Sequence, residues 1–142
     1  PVTPRDQEGG AQTLIFRRTQ IGVEKLVVYL RRRGYAVRGI HGGLSQSQRD
    51  AVMGAFRVGD LKLLVATNVA ARGLDVPNIG CVINFDIPQN VEEYVHRIGR
   101  TSRMGRPGTA ITFVGEWDMD AFEVIHKHIG DDLEWGRLAI YS

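Results

Sequence analysis

Short apolar runs alternate with helix-patterned segments along most of this chain, and no other feature narrows its fold as much. Thr13 to Phe16, Ala36 to Ile40, Lys62 to Ala66, Cys81 to Phe85 and Thr109 to Val114 read as strands, short and mostly apolar. Between them, apolar residues recur at helical spacing. Val23, Leu26, Val27 and Leu30 define one face of a helix predicted from about Gln20 to Arg33, with Gly34 as its stop. Ser45 and Gln48 form a capping-box pattern ahead of a helix carrying Val52, Ala55 and Phe56 and ending near Gly59. Val91, Tyr94, Val95 and Ile98 follow Asn90 as N-cap, with Glu92 and Glu93 in the first turn. Phe122, Ile125 and Ile129 mark a last helix from about Met119 to Ile129. Such an alternation predicts an α/β fold in three αβα layers, with a mainly parallel sheet covered on both faces.

The 142 residues suit one domain. Residues 1–11, rich in Pro, Thr, Asp, Glu and Gly, read as a linker or disordered arm, residues 12–130 as the domain, and residues 131–142 as a tail. Within that tail, Ala139 to Tyr141 has the pattern of a short extra strand. The chain begins at Pro1 rather than methionine, so it reads as a segment of a longer protein. No apolar run approaches the roughly 18 residues of a membrane span, and no signal-peptide pattern is visible. Cys81, the single cysteine, reads as a small buried hydrophobe; it excludes an internal disulfide and fits a reducing compartment such as the cytoplasm.

The net charge of +2 is modest, but 15 of the 18 basic residues are arginines. Phosphate recognition and genomic base composition both produce that bias. In parallel sheets, ligands gather at the carboxyl ends of strands, and the polar clusters here fall there. Arg17-Arg18-Thr19 follows the first strand, His41-Gly42-Gly43 the second, Thr67-Asn68 the third and Asp86 the fourth. Arg97, Arg100, Arg103 and Arg106 recur every third residue behind the Asn90 helix, among Gly99, Gly105 and Gly108. A three-residue step drifts by about 60°, so neighbouring arginines point broadly one way, and crowded guanidinium groups call for an anion or carboxylates between them. The helix carrying them returns towards the opposite edge of the sheet, which places two phosphate ligands on separate parts of the surface. Simpler readings stand beside these. Gly42-Gly43 alone reads as a turn with positive φ, Ser45 and Gln48 as caps, and Arg31-Arg32-Arg33 as a solvated helix end. His126 and His128 lack metal-ligand spacing and read as surface residues; Trp117 and Trp135 read as packing residues.

His96-Arg-Ile-Gly-Arg-Thr-Ser-Arg103 resembles the last motif of superfamily 2 helicases, in the form found in DEAD-box RNA helicases. Ala66-Thr-Asn-Val-Ala-Ala-Arg-Gly-Leu-Asp75 resembles the motif that precedes it, and Ile40-His-Gly-Gly-Leu-Ser-Gln-Ser-Gln-Arg49 the family's His-Gly turn and Gln-x-x-Arg element. Leu14-Ile15-Phe16 with Thr19 is similar to the first motif of the same domain. Four motifs in order, over roughly residues 12 to 115, resemble the C-terminal RecA-like domain alone.

That resemblance implies a role in ATP-driven RNA unwinding or remodelling, with ATP and Mg2+ held mainly by an N-terminal RecA-like domain. It implies an arginine finger at Arg103 with Arg100 beside it, and His96 coupling to the partner domain. Asp75 would contact the ribose, and Gly73 would approach the nucleotide. Towards RNA it points to Arg18, Gly42, Gly43, Gln46, Arg49 and Thr67, contacting sugar and phosphate rather than bases. Two positions depart from the family pattern. Asn68 stands where aspartate is usual, an exchange that weakens a network with Arg97 or Arg100; Ser102 stands where glycine is usual, stiffening the turn that carries Arg103. No Gly-x-x-x-x-Gly-Lys-Ser/Thr occurs, and Asp131-Asp132-Leu133-Glu134 does not spell the family's acidic motif. These residues alone are therefore expected to neither hydrolyse ATP nor unwind a duplex. Two other readings remain at this level: a domain of another superfamily 2 motor, such as a DNA helicase, and a non-catalytic RNA-binding module.

Overall fold

The structure, a computed structural model, describes residues 12–71, 79–98 and 109–129. Five strands, β1 (Gln12–Phe16), β2 (Val37–Ile40), β3 (Leu63–Ala66), β4 (Ile79–Asn84) and β5 (Thr109–Thr112), form one sheet in the order β2-β3-β1-β4-β5. Every neighbouring pair is parallel. The helices are α1 (Gln20–Arg32), α2 (Gln46–Arg57), α3 (Val91–Ile98) and α4 (Met119–Ile129), with a 3₁₀ turn at Glu116–Asp118. The mainly parallel α/β arrangement expected from the alternation is the one observed.

Alternation along the strands divides the core in two. Leu14, Phe16, Ile40, Leu64, Ala66 and Val82 pack with Val52 and Phe56 of α2 on one face. Ile15, Val37, Leu63 and Val65 pack with Val23, Leu26 and Val27 of α1 on the other. β1 is buried at all five positions because it lies centrally, with a strand on each side and helices above and below. A smaller cluster of Ile87, Tyr94 and Ile125 joins α3 to α4.

Helix ends follow local chemistry. Thr19 caps α1, its hydroxyl accepting from the Gly22 N–H at 2.9 Å, and Gly34 ends that helix at φ +94°. Ser45 and Gln48 form the reciprocal capping box on α2. Asn90 Oδ1 accepts from the Glu93 N–H at 2.8 Å at the start of α3.

Several expectations need correcting. β1 begins one residue early because buried Gln12 donates its side-chain amide to the carbonyls of Phe56 and, at 2.8 Å, Leu61. β4 runs from Ile79 and ends before Phe85, which is 37% exposed and stacks edge-on against Phe113 at 5.5 Å. Cys81 is only half-buried, and that burial still pushes its thiol pKa up. Trp117 is not a packing residue: it sits in the 3₁₀ turn at 93% exposure, while Phe122 and Ile125 of α4 pack against the Ile87 and Tyr94 cluster. Arg31 to Arg33 are exposed as expected, although Arg31 Nε also donates to the Val37 carbonyl at 3.0 Å. Trp135 and the Ala139–Tyr141 pattern lie outside the described residues, as do the side chains of His126 and His128.

Gly39 of β2 shows how closely α1 approaches the sheet. A Cβ there would stand 2.7 Å from Val23 Cγ1 and 3.1 Å from Val27 Cγ2. Gly39→Ala should therefore destabilise the protein by about 1–3 kcal/mol through overpacking. Urea unfolding measures this, and an unchanged midpoint would mean that α1 moves away without penalty.

Candidate nucleic-acid interface

Strand register sets the site. Ile40, Ala66, Phe16, Asn84 and Thr112 pair across the sheet in a single row, so all five strands deliver their following loops to the same edge. Arg17-Arg18, His41-Gly42-Gly43, Thr67-Asn68 and Phe85-Asp86 leave four adjacent positions of that row side by side.

Asp86 gathers the first of these loops. Its Oδ2 accepts from Arg17 Nε at 2.8 Å and from the Arg18 N–H at 2.7 Å. The Arg17 guanidinium also lies over the Phe85 ring at 4.4 Å, a cation–π contact that fixes its plane. The exposed Arg18 bends its own guanidinium to the Ile87 carbonyl at 3.3 Å.

Arg97 is the deepest charge of the site, 3% exposed at the end of α3. It donates from Nη1 to Asn84 Oδ1 at 3.2 Å and to the Asp86 carbonyl at 3.0 Å, and from Nε to Asn68 Oδ1 at 3.2 Å. Glu93 Oε1 lies 3.7 Å from Nη2, and the guanidinium stacks over Phe16 at 4.8 Å. Burial lowers the Arg97 pKa, Glu93 and Asp86 raise it, and Arg18 lowers it again. An arginine remains charged through such opposing effects, so Arg97 is a fixed cation bound to the loops after β3 and β4 and to the end of β4. This revises two expectations. The first arginine of the row faces the carboxyl edge rather than the opposite one, since α3 is only eight residues long, or about 12 Å. Asn68 does not lose the network with Arg97: its Oδ1 accepts from Arg97 while its Nδ2 donates to Glu93 at 2.6 Å, a donation aspartate could not make.

The expected RNA-facing residues fall unevenly. Arg18, Gly42, Gly43 and Thr67 lie at the carboxyl edge; the Thr67 N–H donates to the Ile40 carbonyl at 3.2 Å. Gln46 is exposed in the first turn of α2 and donates to Asp50 at 2.8 Å. Arg49 turns inward, donating to the Ala70 carbonyl at 2.8 Å and so tethering the loop after β3. Gly42 and Gly43 lack positive φ, so handedness does not call for glycine in their turn, and space is tight only at Gly43. Gly73, Asp75, Arg100, Ser102 and Arg103 lie outside the described residues; His96 falls on α3 with its side chain also outside them. Asn84 was not singled out from the sequence; Arg17 was placed only in the cluster after the first strand, and Glu93 only in the first turn of its helix. For Asn84 the signal was present: an amide at the end of an apolar run, and fully buried. Among the described residues, no group of three or more His, Cys, Asp or Glu could hold a metal ion, and no helix is long and apolar enough to cross a membrane.

The five-stranded parallel sheet with its helices is that of a RecA-like α/β domain. The model of the helicase conserved C-terminal domain matches residues 3–105. The chain belongs to that family, as a C-terminal RecA-like domain of the DEAD-box RNA helicase type. It is 45% identical over 125 residues to the ATP-dependent rRNA helicase rrp-3 of Neurospora crassa, covering 88% of this chain and 24% of that protein. With the DEAD-box ATP-dependent RNA helicase CshA of Geobacillus kaustophilus it shares 54% identity over 101 residues, covering 71% of this chain and 22% of that protein. Among solved structures, S. cerevisiae Dbp5 bound to RNA and ADP BeF3 superposes with a TM-score of 0.79 at 36% identity, over 88% of this chain and 34% of that one. The chain thus spans about a quarter of the length of the curated relatives it matches.

Proposed function

We propose that this chain is the C-terminal half of an ATP-dependent RNA helicase that works in the cytoplasm, supplying an arginine finger and RNA-backbone contacts for duplex unwinding or remodelling. One observation carries the reading: a single row of strand ends gathers the loops of three of the family's motifs, with Arg97 of the fourth bonded to Asn68 of one of them and to the Asp86 carbonyl beside it. In this reading an N-terminal RecA-like domain of the same protein holds ATP and Mg2+. Arg103 then faces the transferred phosphate from across the cleft with Arg100 beside it, and His96 couples the two domains. Gly73 and Asp75 meet the nucleotide. Arg18, Gly42, Gly43, Gln46 and Thr67 line the RNA track, and Arg49 serves it by holding the loop after β3. Arginine suits the finger because its planar fork can meet two phosphate oxygens at once. The resident metal supplies charge neutralisation at those phosphates when bound.

The test compares residues 1–142 with the full-length protein. The segment alone should show no RNA-stimulated ATP turnover, and the full-length protein should be stimulated by RNA more than by DNA. Turnover by the segment would overturn the half-site reading, and stimulation by DNA alone would make the protein a different motor. Residues 1–142 should also bind single-stranded RNA weakly, with little sequence preference and a steep loss on adding salt, because backbone contacts release counterions. Tight, salt-insensitive, sequence-selective binding in a fluorescence titration would indicate a stand-alone RNA-binding module instead.

A further inference from the structure

His41, the first residue after β2, is 7% exposed and has a partner at each ring nitrogen. Nδ1 accepts from the Gly43 N–H at 3.0 Å, and Nε2 stands 3.2 Å from Glu24 Oε1 on α1. A ring nitrogen that accepts an N–H carries no proton, so the hydrogen-bond network assigns the neutral tautomer protonated at Nε2. A side-chain acceptor bonded to the N–H two residues on is the geometry by which Asn and Asp build an Asx turn. Here an imidazole takes that place and adds a second arm that reaches α1. The His41 carbonyl meanwhile accepts from the Leu44 N–H at 3.2 Å, so main chain and side chain close the same turn.

The space around the ring explains the second glycine. A Cβ on Gly43 would stand 2.9 Å from His41 Cε1, 3.0 Å from His41 Nδ1 and 3.0 Å from Gln20 Oε1. Gly42 and Gly43 are both exposed, but a Cβ on Gly42 would meet only Gln20 Nε2, at 3.4 Å. The two glycines are therefore not equivalent. The Gly43 N–H is committed to His41, whereas Gly42 faces the open side of the turn.

We propose that His41 is a positioning residue of the RNA-binding edge: its neutral imidazole withholds the Gly43 N–H and sets the turn so that the Gly42 backbone meets the RNA sugar-phosphate chain. This rests on the RNA reading given above. The alternative role for a buried histidine, filling space in the core, predicts different behaviour in two variants. His41→Asn keeps a side-chain acceptor for the Gly43 N–H and gives up the arm to Glu24. His41→Phe keeps a ring of similar size and removes the acceptor.

The experiment uses the full-length protein and a fluorescent oligouridine strand, with thermal melting as the fold control. His41→Phe should weaken RNA binding roughly three- to tenfold, the scale of one lost hydrogen bond, while His41→Asn stays within about twofold of the parent. Equal affinity in all three proteins, or an equal loss in both variants, would overturn the proposal. A second measurement does not depend on a variant folding: long-range proton–nitrogen correlation on histidine-labelled protein should show His41 Nδ1 unprotonated and Nε2 protonated. Protonation at Nδ1 would overturn it outright. If the parent itself does not bind the strand, the RNA reading fails, and the tautomer still reports separately on the turn.

Discussion

In the full-length protein, Arg103→Lys should lower RNA-stimulated ATP turnover by roughly 10³–10⁵ while leaving the fold and nucleotide-free RNA binding nearly intact. Lysine keeps the charge, so a role limited to surface electrostatics would survive the change. What it loses is the planar fork and some reach, both of which matter for a group that must meet phosphate oxygens across a closing cleft. At about 1.4 kcal/mol per decade, the loss corresponds to roughly 4–7 kcal/mol of transition-state stabilisation. A solvated surface arginine would change stability by no more than about 0.5 kcal/mol and turnover hardly at all. Steady-state ATPase rates separate these outcomes, with circular dichroism melting as the fold control. Near-normal turnover by a folded Arg103→Lys protein would move the finger to Arg100. Arg103 lies outside the described residues, and the role proposed for it rests on its place in the motif.

The elements that were legible in the sequence are those whose signal is local. The capping box at Ser45 and Gln48, the Asn90 cap and the Gly34 stop all act within a few residues, and each lies where the pattern placed it. What local pattern could not supply was set by distant partners. Gln12 extends β1 because its amide finds acceptors at Phe56 and Leu61, 44 and 49 residues away. Trp117 looked like a packing residue by type, but the 3₁₀ turn ahead of α4 leaves it outside the cluster that Phe122 and Ile125 join. The candidate site divides in the same way. Spacing located the loops at the strand ends, but it could not distinguish an arginine that faces a ligand from one that faces the protein. Arg49 and Arg97 turn to carbonyls 21 and 11 residues away along the chain, and only the folded sheet brings those carbonyls within reach.

Arg97→Met should be the most destabilising single change in the described part of the site, by about 3–5 kcal/mol. Methionine occupies similar length and can still touch Phe16, so the loss is one of donors rather than of volume. Asn84, fully buried, would keep its bond to Thr112 Oγ1 at 3.0 Å but leave its own Oδ1 without the guanidinium. The Asp86 carbonyl and Asn68 Oδ1 would lose the same partner, and Glu93 would remain beside them with its opposite charge removed. Leaving one buried and two half-buried acceptors unmet is what makes breaking such a network costly. Arg17→Met provides the comparison. Its ion pair with Asp86 is about a quarter exposed on both sides, so screening limits that loss to roughly 1 kcal/mol or less. Arg97→Lys should fall between them. The charge is kept, but one ammonium cannot span Asn68, Asn84 and Asp86 together, and burial that lowers an arginine pKa would push a lysine down from a lower starting point. Urea unfolding of the three variants orders them directly. If Arg97→Met lies within about 1 kcal/mol of the parent, the network around Arg97 does not hold the loops of this edge together.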